Sequence, residues 1–409
     1  MAKVVRFRAW RYADKAGPLG ALVTQPYDKI TPEMRARYLA WSPYNLVRVI
    51  LGETYPTDSP ADNVYTRAAC HLRNWIAAGV LARDEEPSLF SYFQEFTDPD
   101  SGERLVRRGF IGLGAVEDYS AGVVRRHEQT LSGPKQDRLE LLRHTRAHFG
   151  QIFMLYPDPA GQIDALLDGA ACTHPIAEVT DEYGAVHRLW RIAEPARIQA
   201  LMADKKLLIA DGHHRYETAL AFRNENPELE DARRVMMTFV NMYSPGLKIL
   251  ATHRLVSGLA GFEPRSFLER ASERFRVEPV ATLDALRARW TASDSTVIGA
   301  AMGDALYALE ARDRAESRDV RVLHTALIAG ILGIGEEAVK DERHIRYIRG
   351  LDAAVAEARR GAAQIAFLLK PVSVEQVARI SFAGGVMPQK STDFYPKLLS
   401  GLTIYRLER

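Results

Sequence analysis

The pentapeptide Asp211-Gly212-His213-His214-Arg215 combines residue types that suit phosphate chemistry. The run Lys206–Ala210 before it predicts a short strand, and Tyr216–Arg223 after it predicts a helix. The first N–H groups of a helix lack partners and carry partial positive charge, so this turn is suited to bind phosphate. Arg215 could add a bidentate clamp, and Asp211 could orient a histidine or hold a hydrated Mg²⁺. The alternative is an N-cap aspartate followed by two incidental histidines.

A second polar segment begins at His127-Glu128-Gln129-Thr130 and continues into a helix that carries Lys135 and Arg138. A glutamate on a positioned loop is suited to act as a general base toward a hydroxyl group or water. Lys135 and Arg138 lie about one helical turn apart, so both could face the same anion. The alternative for these residues is a solvated helix start with ordinary charges.

A histidine-based metal site is disfavoured. It would use His213 and His214 with His127 or His253. Adjacent histidines cannot easily face one ion in regular structure, and no His-x-x-x-His or His-x-Glu pattern joins these four.

Other loops supply candidate substrate contacts. They are Tyr27 and Asp28 in one turn, Asn45 and Arg48 in the next, His253 at a strand end, and Lys390, Ser391 and Thr392 near the C-terminus. The Lys-Ser-Thr triplet lacks the glycine-rich lead of a P-loop, and no Rossmann or α/β-hydrolase glycine motif occurs. The basic stretch Arg104–Arg108 predicts a solvated strand face.

Composition limits the classes of protein that the chain can be. Of 409 residues, 47% are hydrophobic and 26% are charged, which excludes a disordered or collagen-like chain. The formal charge of +2 gives no reason to expect nucleic-acid or membrane binding. Two cysteines, no signal-peptide pattern and no long apolar run lead us to expect a cytoplasmic protein without a disulfide framework.

Helical and strand patterns alternate without a strict βαβ rhythm, which predicts an α+β fold. A hairpin is predicted from Leu89–Thr97 and Leu105–Leu113, and an apolar helix at Val320–Leu332. We expect one domain over residues 1–257, containing this hairpin, and a smaller α/β domain over 258–409 whose tail returns to the site. A homo-oligomer is compatible with the sequence, which does not define the oligomeric state.

Several of these motifs together resemble an uncharacterised prokaryotic family, domain of unknown function 1015. They are Gln25-Pro26-Tyr27-Asp28, Ser42-Pro43-Tyr44-Asn45, His127-Glu128-Gln129-Thr130, the segment Ile209–Glu217, and Lys390-Ser391-Thr392. Gln25 stands where the family often has a second proline, and Asp393 where an aromatic residue is usual. We interpret both departures as adjustments of a pocket.

The turn at Asp211–Arg215 is also similar to the phosphate-binding turn of the ParB/sulfiredoxin-like superfamily. That superfamily includes chromosome-partitioning CTPases, sulfiredoxins and kinases of free serine. The likeness implies a mixed-sheet nucleotide-binding core, and the association of the larger family with serine biosynthesis favours the kinases.

The resulting hypothesis is a phosphotransferase that converts free L-serine to O-phosphoserine with Mg²⁺ and ATP, ADP or pyrophosphate. The expected catalytic residues are Glu128, Asp211, His213 and His214, with Asp211 at the metal. The expected phosphate-binding residues are Gly212, Arg215, His127, Thr130, Lys135 and Arg138. The alternatives are a phosphatase or nucleotide hydrolase that acts on O-phosphoserine or a similar small phosphate ester, and a ParB-like nucleotide-binding regulator, which would need a DNA-reading module that we do not find.

Overall fold

The computed structural model describes residues 2–128, 132–313, 319–341, 343–387 and 391–408. Its strands are β1 (Val4–Val5), β2 (Trp10–Tyr12), β3 (Leu81–Arg83), β4 (Phe90–Thr97), β5 (Arg104–Ala115), β6 (Val124–Arg125), β7 (Ala147–His148), β8 (Ile152–Tyr156), β9 (Ala177–Thr180), β10 (Val186–Arg191), β11 (Leu207–Asp211), β12 (Arg234–Asn241), β13 (Lys248–Leu250), β14 (Thr252–Val256), β15 (Phe275–Pro279), β16 (Val297–Met302), β17 (Ala305–Ala311), β18 (Ile345–Arg349), β19 (Ile365–Leu368), β20 (Asp393–Tyr395) and β21 (Tyr405–Arg406).

The helices alternate with these strands. They are α1 (Pro32–Trp41), α2 (Val47–Ile50), α3 (Val64–Ala77), α4 (Ser132–Thr145), α5 (Gln162–Ala170), α6 (Pro195–Met202), α7 (His213–Glu225), α8 (Pro264–Ser272), α9 (Leu283–Ala292), α10 (Asp319–Val322), α11 (Glu336–Lys340), α12 (Leu351–Arg359) and α13 (Val374–Phe382). The predicted apolar helix at 320–332 is α10 followed by a π-helical segment, Leu323–Ala329.

The first sheet is mixed, with the strand order β6-β11-β8-β12-β5-β4-β10-β9, and β1 pairs with β5. Strand β11 runs parallel to β6 and antiparallel to β8, while β8 and β12 are parallel. The predicted hairpin is confirmed as β4 and β5, which pair from Phe90 with Ile111 to Thr97 with Arg104. The α+β class predicted from the sequence is therefore confirmed.

A second sheet has the order β15-β17-β16-β19-β14-β18. Strands β13 and β14 are separate, because the chain leaves one sheet and enters another at Ala251. Strand β13 pairs with β20, whereas β14 already belongs to the second sheet. The second sheet thus begins five residues before position 257.

The C-terminal tail packs back against the first sheet and its neighbouring strands. Strand β20 pairs with β13, Ser400 bridges to Thr24, and β21 pairs with β7. Leu398, Leu399 and Leu402 are buried in the same core cluster as residues of β5, β8 and β12. The tail is therefore part of the packing around the first sheet.

The expectation of a solvated face at Arg104–Arg108 is wrong for Arg107, which is about 1% exposed. Its guanidinium donates to Gln94 Oε1 and to the backbone oxygens of Tyr395 and Pro396. Gln94 Nε2 in turn donates to the Lys397 carbonyl at 2.8 Å. This buried pair therefore fixes three consecutive carbonyls of the tail. Over the described ranges, no helix is long and apolar enough to cross a membrane.

Candidate functional site

The predicted strand, turn and helix around Asp211 are present as β11, Gly212 and α7. Gly212 has a φ of +91°, a conformation that residues with a Cβ rarely adopt. A Cβ there would also lie 3.1 Å from the Arg215 guanidinium. Glycine thus allows the buried strand to turn directly into the first turn of α7, where the backbone N–H groups have no partner within the helix.

His127 and Glu128 lie beside this turn because of the sheet topology. Strand β6 precedes them and is parallel to β11, so both strands end at the same edge of the sheet. The ring of His127 packs edge-on against that of His213, with 4.7 Å between the ring centroids. The two sequence constellations therefore form one site.

A chain of hydrogen bonds connects Glu128 to β11. His127 Nδ1 lies 2.7 Å from the Ile209 carbonyl, which can only accept, so Nδ1 carries the proton. His127 Nε2 then accepts from the Thr392 hydroxyl at 2.6 Å. Thr392 Oγ1 also lies 3.3 Å from Glu128 Oε1. A protonated Glu128 can donate to Thr392, and an ionised Glu128 competes with His127 for the same hydroxyl proton.

Burial determines the protonation states of Glu128 and His127 in this series of hydrogen bonds. Burial, with the added charge of Asp211, raises the pKa of Glu128 to about 7, and burial lowers the pKa of His127 to about 4. The 3.8 Å approach of His127 Nε2 to Glu128 is therefore not an ion pair at neutral pH, because the imidazole is uncharged. Glu128 has the pKa of a base that exchanges protons near neutrality.

Asp211 lies in a cluster of charges that the tail completes. Its Oδ2 accepts from Arg215 at 2.9 Å, and its Oδ1 lies 3.6 Å from Lys397 Nζ. Burial alone would raise the pKa of Asp211, but Lys397 and Arg215 lower it below the usual range. Asp211 is therefore ionised throughout the neutral range.

Lys397 is shared between two carboxylates. Its Nζ lies 2.9 Å from Asp393, which also accepts from Arg349 at 2.9 Å. Burial alone would lower the pKa of Lys397, but Asp211 and Asp393 raise it. Lys29 is close enough to lower the pKa of both Asp211 and Asp393. The motif search missed Lys29, Lys397 and Arg349 as site residues, because the tail and the second sheet bring them in from distant sequence.

The two arginines expected to bind phosphate have protein partners. Arg215 donates to Asp211 and to the Gln151 carbonyl, so it braces the turn. Arg138 donates to the Ile50 carbonyl at 2.6 Å and lies 4.2 Å from the Tyr27 ring centroid. The cavity between these side chains measures about 60 Å³, room for about two water molecules.

Lys135 and Arg138, which we expect to face one anion, contact different protein groups. Lys135 Nζ lies 3.7 Å from Glu217 on α7, and Arg126 Nη1 lies 3.6 Å from the same carboxylate. Arg126 also helps to lower the pKa of His213. Partly exposed cations thus flank the start of α7, and Arg126 is one that the sequence analysis did not single out.

The two histidines of the turn differ in environment. His213 is buried, and its Nε2 makes no hydrogen bond with any residue in the described part of the chain. Burial and the neighbouring His127 lower its pKa well below the usual value. His214 is half-buried, and burial lowers its pKa while Glu217 and Asp28 oppose that change. His214 is the more accessible of the two.

The candidate substrate residues fall into two groups. The Asp28 charge acts on the pKa of His214 and Lys29, and the Asp211 charge acts on the pKa of Tyr27, so both residues of this turn border the site. Ser391 and Thr392 lie at the Glu128 side. Thr130 and Lys390 lie outside the described residues.

Asn45, Arg48 and His253 have structural partners. Asn45 donates to the Ala21 carbonyl at 2.8 Å and accepts from Val47 N–H, and Arg48 donates to the Leu39 carbonyl at 2.7 Å. His253 is buried in β14 and accepts from Leu369 N–H at 3.2 Å. These contacts organise loops and the second sheet, so we assign the three residues structural roles.

Asp211 is the side chain considered for a metal ion. Across the part of the chain that the structure describes, no group of three or more His, Cys, Asp or Glu side chains could hold a metal. Both oxygens of Asp211 already face cations. The donor set therefore does not fit a resident ion, and it fits a hydrated Mg²⁺ only if that ion arrives on phosphate oxygens.

Residues 4–332 match the family described as "Protein of unknown function (DUF1015)". The chain belongs to this family. No curated protein sequence matches it.

The fold of this chain is similar to those of several solved structures, of which three are described here. A conserved hypothetical protein from Pyrococcus furiosus is 14% identical, covering 69% of this chain and 93% of that chain, with a TM-score of 0.36. A free serine kinase in complex with AMP is 15% identical, covering 69% and 89%, with a TM-score of 0.37. SbnI with a C-terminal truncation from Staphylococcus aureus is 10% identical, covering 71% and 87%, with a TM-score of 0.37. These TM-scores are too low to establish a function.

Proposed function

We propose that the protein is a phosphotransferase that moves a phosphoryl group from ATP, ADP or pyrophosphate to the hydroxyl of a small alcohol, free L-serine foremost. The observation that carries this proposal is the position of Glu128. A glutamate with a pKa of about 7 lies in the same site as an ionised aspartate and the N-terminus of a helix. Phosphoryl transfer depends mainly on positioning and on stabilisation of phosphate charge, which an anion-binding turn supplies, and a base orients the acceptor hydroxyl and takes its proton.

The donor phosphates would bind at the first turn of α7. Its backbone N–H groups and the partial positive charge of the helix end favour an anion there. His214, Arg126 and Lys135 are the partly exposed cations or donors around this turn. Arg215 would act indirectly, since its bonds to Asp211 and Gln151 hold the turn in shape.

The acceptor hydroxyl would lie against Glu128. Ionised Glu128 takes the hydroxyl proton while the acceptor oxygen forms a bond to phosphorus and the donor's bridging P–O bond breaks. Thr392, whose hydroxyl group contacts both Glu128 and His127, would orient the carboxylate. Lys397 and the helix end would stabilise the negative charge on the transferring group and the leaving phosphate.

Mg²⁺ would arrive with the donor phosphates, with Asp211 holding it through water. Such an ion supplies charge neutralisation on the phosphate oxygens. The residues of this chain supply orientation, through Gly212 and Arg215, and proton removal, through Glu128.

Phosphorus NMR of the purified protein with Mg²⁺ and L-serine, run separately with each of the three donors, tests this function. We expect one donor to yield a phosphomonoester signal that is absent without serine. Consumption of no donor would refute the kinase. Release of phosphate from added O-phosphoserine in that case would indicate a phosphatase, and donor binding without turnover would indicate a nucleotide-binding protein.

A further inference from the structure

A cavity of about 290 Å³ lies between the second sheet and the C-terminal tail, and the proposed function does not use it. Residues from β14, from the start of α13 and from the tail line it. Its volume is close to the lower end of the range of about 300–1,000 Å³ that is typical of small-molecule pockets. It therefore has room for a small metabolite.

One wall of this cavity carries a buried cation. Arg254 on β14 is about 1% exposed, its Nη1 donates to the Thr252 carbonyl, and its guanidinium lies 5.4 Å from the Tyr347 ring centroid. Burial lowers the pKa of Arg254 to about 10, so the side chain stays protonated at neutral pH. A guanidinium held on an aromatic ring is preorganised to bind a carboxylate.

The opposite charge is present in the same cavity. Asp319, at the start of α10, lines it and accepts from the Thr296 hydroxyl at 2.8 Å. Lys370 also lines it and donates to the Trp290 carbonyl at 2.8 Å. A cavity with both a guanidinium and a half-buried carboxylate matches a zwitterion better than it matches a simple anion.

The cavity adjoins the proposed base. Met387 and Ser391 line it, and both are neighbours of Glu128 in the fold. Met387 N–H donates to the His127 carbonyl at 2.6 Å and forms a parallel bridge with Glu128, while Ser391 immediately precedes Thr392. The Glu128 charge also acts on the pKa of Arg254. The cavity therefore borders the same residues that contact His127 and Glu128.

We propose that this cavity binds a free amino acid as a zwitterion, with its carboxylate at Arg254 and its ammonium group at Asp319. Under the proposed function, on which this role rests, the cavity is the acceptor pocket and the ligand's hydroxyl is directed toward Glu128. The class of substrate is then a short hydroxy amino acid.

Isothermal titration of the full-length protein without any donor tests the cavity directly. The probes are L-serine, ethanolamine, which lacks the carboxylate, and 3-hydroxypropionate, which lacks the ammonium group. We expect L-serine to bind and the other two to bind at least tenfold more weakly. Equal affinity for all three would overturn the assignment.

Variants locate the binding. Arg254→Met removes the cation, and Ser295→Trp, in a half-buried loop position on the cavity wall, fills the space without removing a charge. Both should raise the serine Kd at least tenfold. Arg346→Met is the control: its pairing partner Leu255 follows Arg254, so Arg346 lies on the other face of the sheet and binding should not change. Should Arg254→Met fail to fold, Ser295→Trp still decides the question.

Donor turnover, measured separately, distinguishes this inference from the proposed function. Serine binding that depends on Arg254 in a protein that consumes no donor would support the cavity and refute the kinase. Serine phosphorylation with the same serine KM in Arg254→Met and Ser295→Trp would support the kinase and refute the cavity.

Discussion

Lys397 and Asp211 lie in contact across the fold, with 3.6 Å between Nζ and Oδ1. Asp211 ends β11, and Lys397 follows β20 in the tail, so the pair joins the first sheet to the C-terminus. Asp393, which is 2.9 Å from the same ammonium group, and Arg349 on the second sheet extend the contact. The charge state of the proposed phosphate site thus depends on three separate parts of the chain.

Lys397→Met should destabilise the protein, because it leaves the buried carboxylate of Asp393 and the half-buried carboxylate of Asp211 with fewer cations. Arg215 and Arg349 remain, so we expect a loss of roughly 2–4 kcal/mol in the free energy of unfolding, near the lower end for a broken buried pair. Urea denaturation of the variant and the wild type measures this loss in the free energy of unfolding. Arg265→Met is the matched control, because the Arg265–Glu269 pair is exposed and should contribute at most about 1 kcal/mol. Equal effects of the two changes would mean that the cluster does not stabilise the fold.

Glu128→Gln should reduce turnover by roughly 10²–10⁴-fold while the donor Kd stays the same, because it removes the base and keeps the shape. In the wild type, kcat should rise with pH through about 7, as Glu128 loses its proton. The variant should lack this rise. A pH–rate profile of both proteins measures the effect, and an unchanged profile would exclude Glu128 as the base.

The same substitution should change the pH dependence of stability. The folded-state pKa of Glu128, about 7, exceeds its ordinary value of 4.5. Between these pH values the folded protein binds more protons than the unfolded chain, so wild-type stability falls as pH rises. Glu128→Gln removes this pH dependence. The free energy of unfolding of the variant, relative to that of the wild type, should therefore increase by up to about 3 kcal/mol between pH 4 and pH 8. Chemical denaturation at the two pH values tests this, and parallel curves would contradict it.

Arg107→Met should loosen the tail, because Arg107 and Gln94 hold the carbonyls of residues 395–397. We expect faster hydrogen exchange at Leu399 and Ser400, together with lower kcat. Arg108→Met is the control, since Arg108 is partly exposed and pairs with Asp168 outside this network. Exchange rates in the tail that match between the two variants would show that Arg107 does not position it.

The local part of the site could be predicted from the sequence, and the long-range part could not. The strand, glycine turn and helix around Asp211 follow from apolar periodicity and a positive-φ glycine, which act over a few residues. Lys397 and Arg107 gave no such signal, because a charged residue in a strand or tail usually predicts a solvated side chain. The pairing of β20 with β13 and the contact between Lys397 and Asp211 show which charged residue of the tail enters the site.

Gln25 and Asp393, the two residues that depart from the family pattern, have polar partners that could not be predicted from the sequence. Gln25 Nε2 donates to Asp181 and Glu182, both at 3.2 Å, and Asp393 pairs with Arg349 and Lys397. Each polar residue therefore makes polar contacts in place of the apolar packing that a proline or an aromatic residue would give. Predicting these contacts requires the register of strands far apart in sequence.

The fate of an ¹⁸O label in the serine hydroxyl group tests the central claim most directly. The protein is incubated with Mg²⁺, the donor that it consumes, and L-serine carrying ¹⁸O in its hydroxyl group, and O-phosphoserine is analysed by mass spectrometry. If Glu128 activates the serine hydroxyl for attack on phosphorus, the product keeps the ¹⁸O in its C–O–P bridge, and Glu128→Gln and Asp211→Asn form little of it. Unlabelled inorganic phosphate as the sole product would contradict the account.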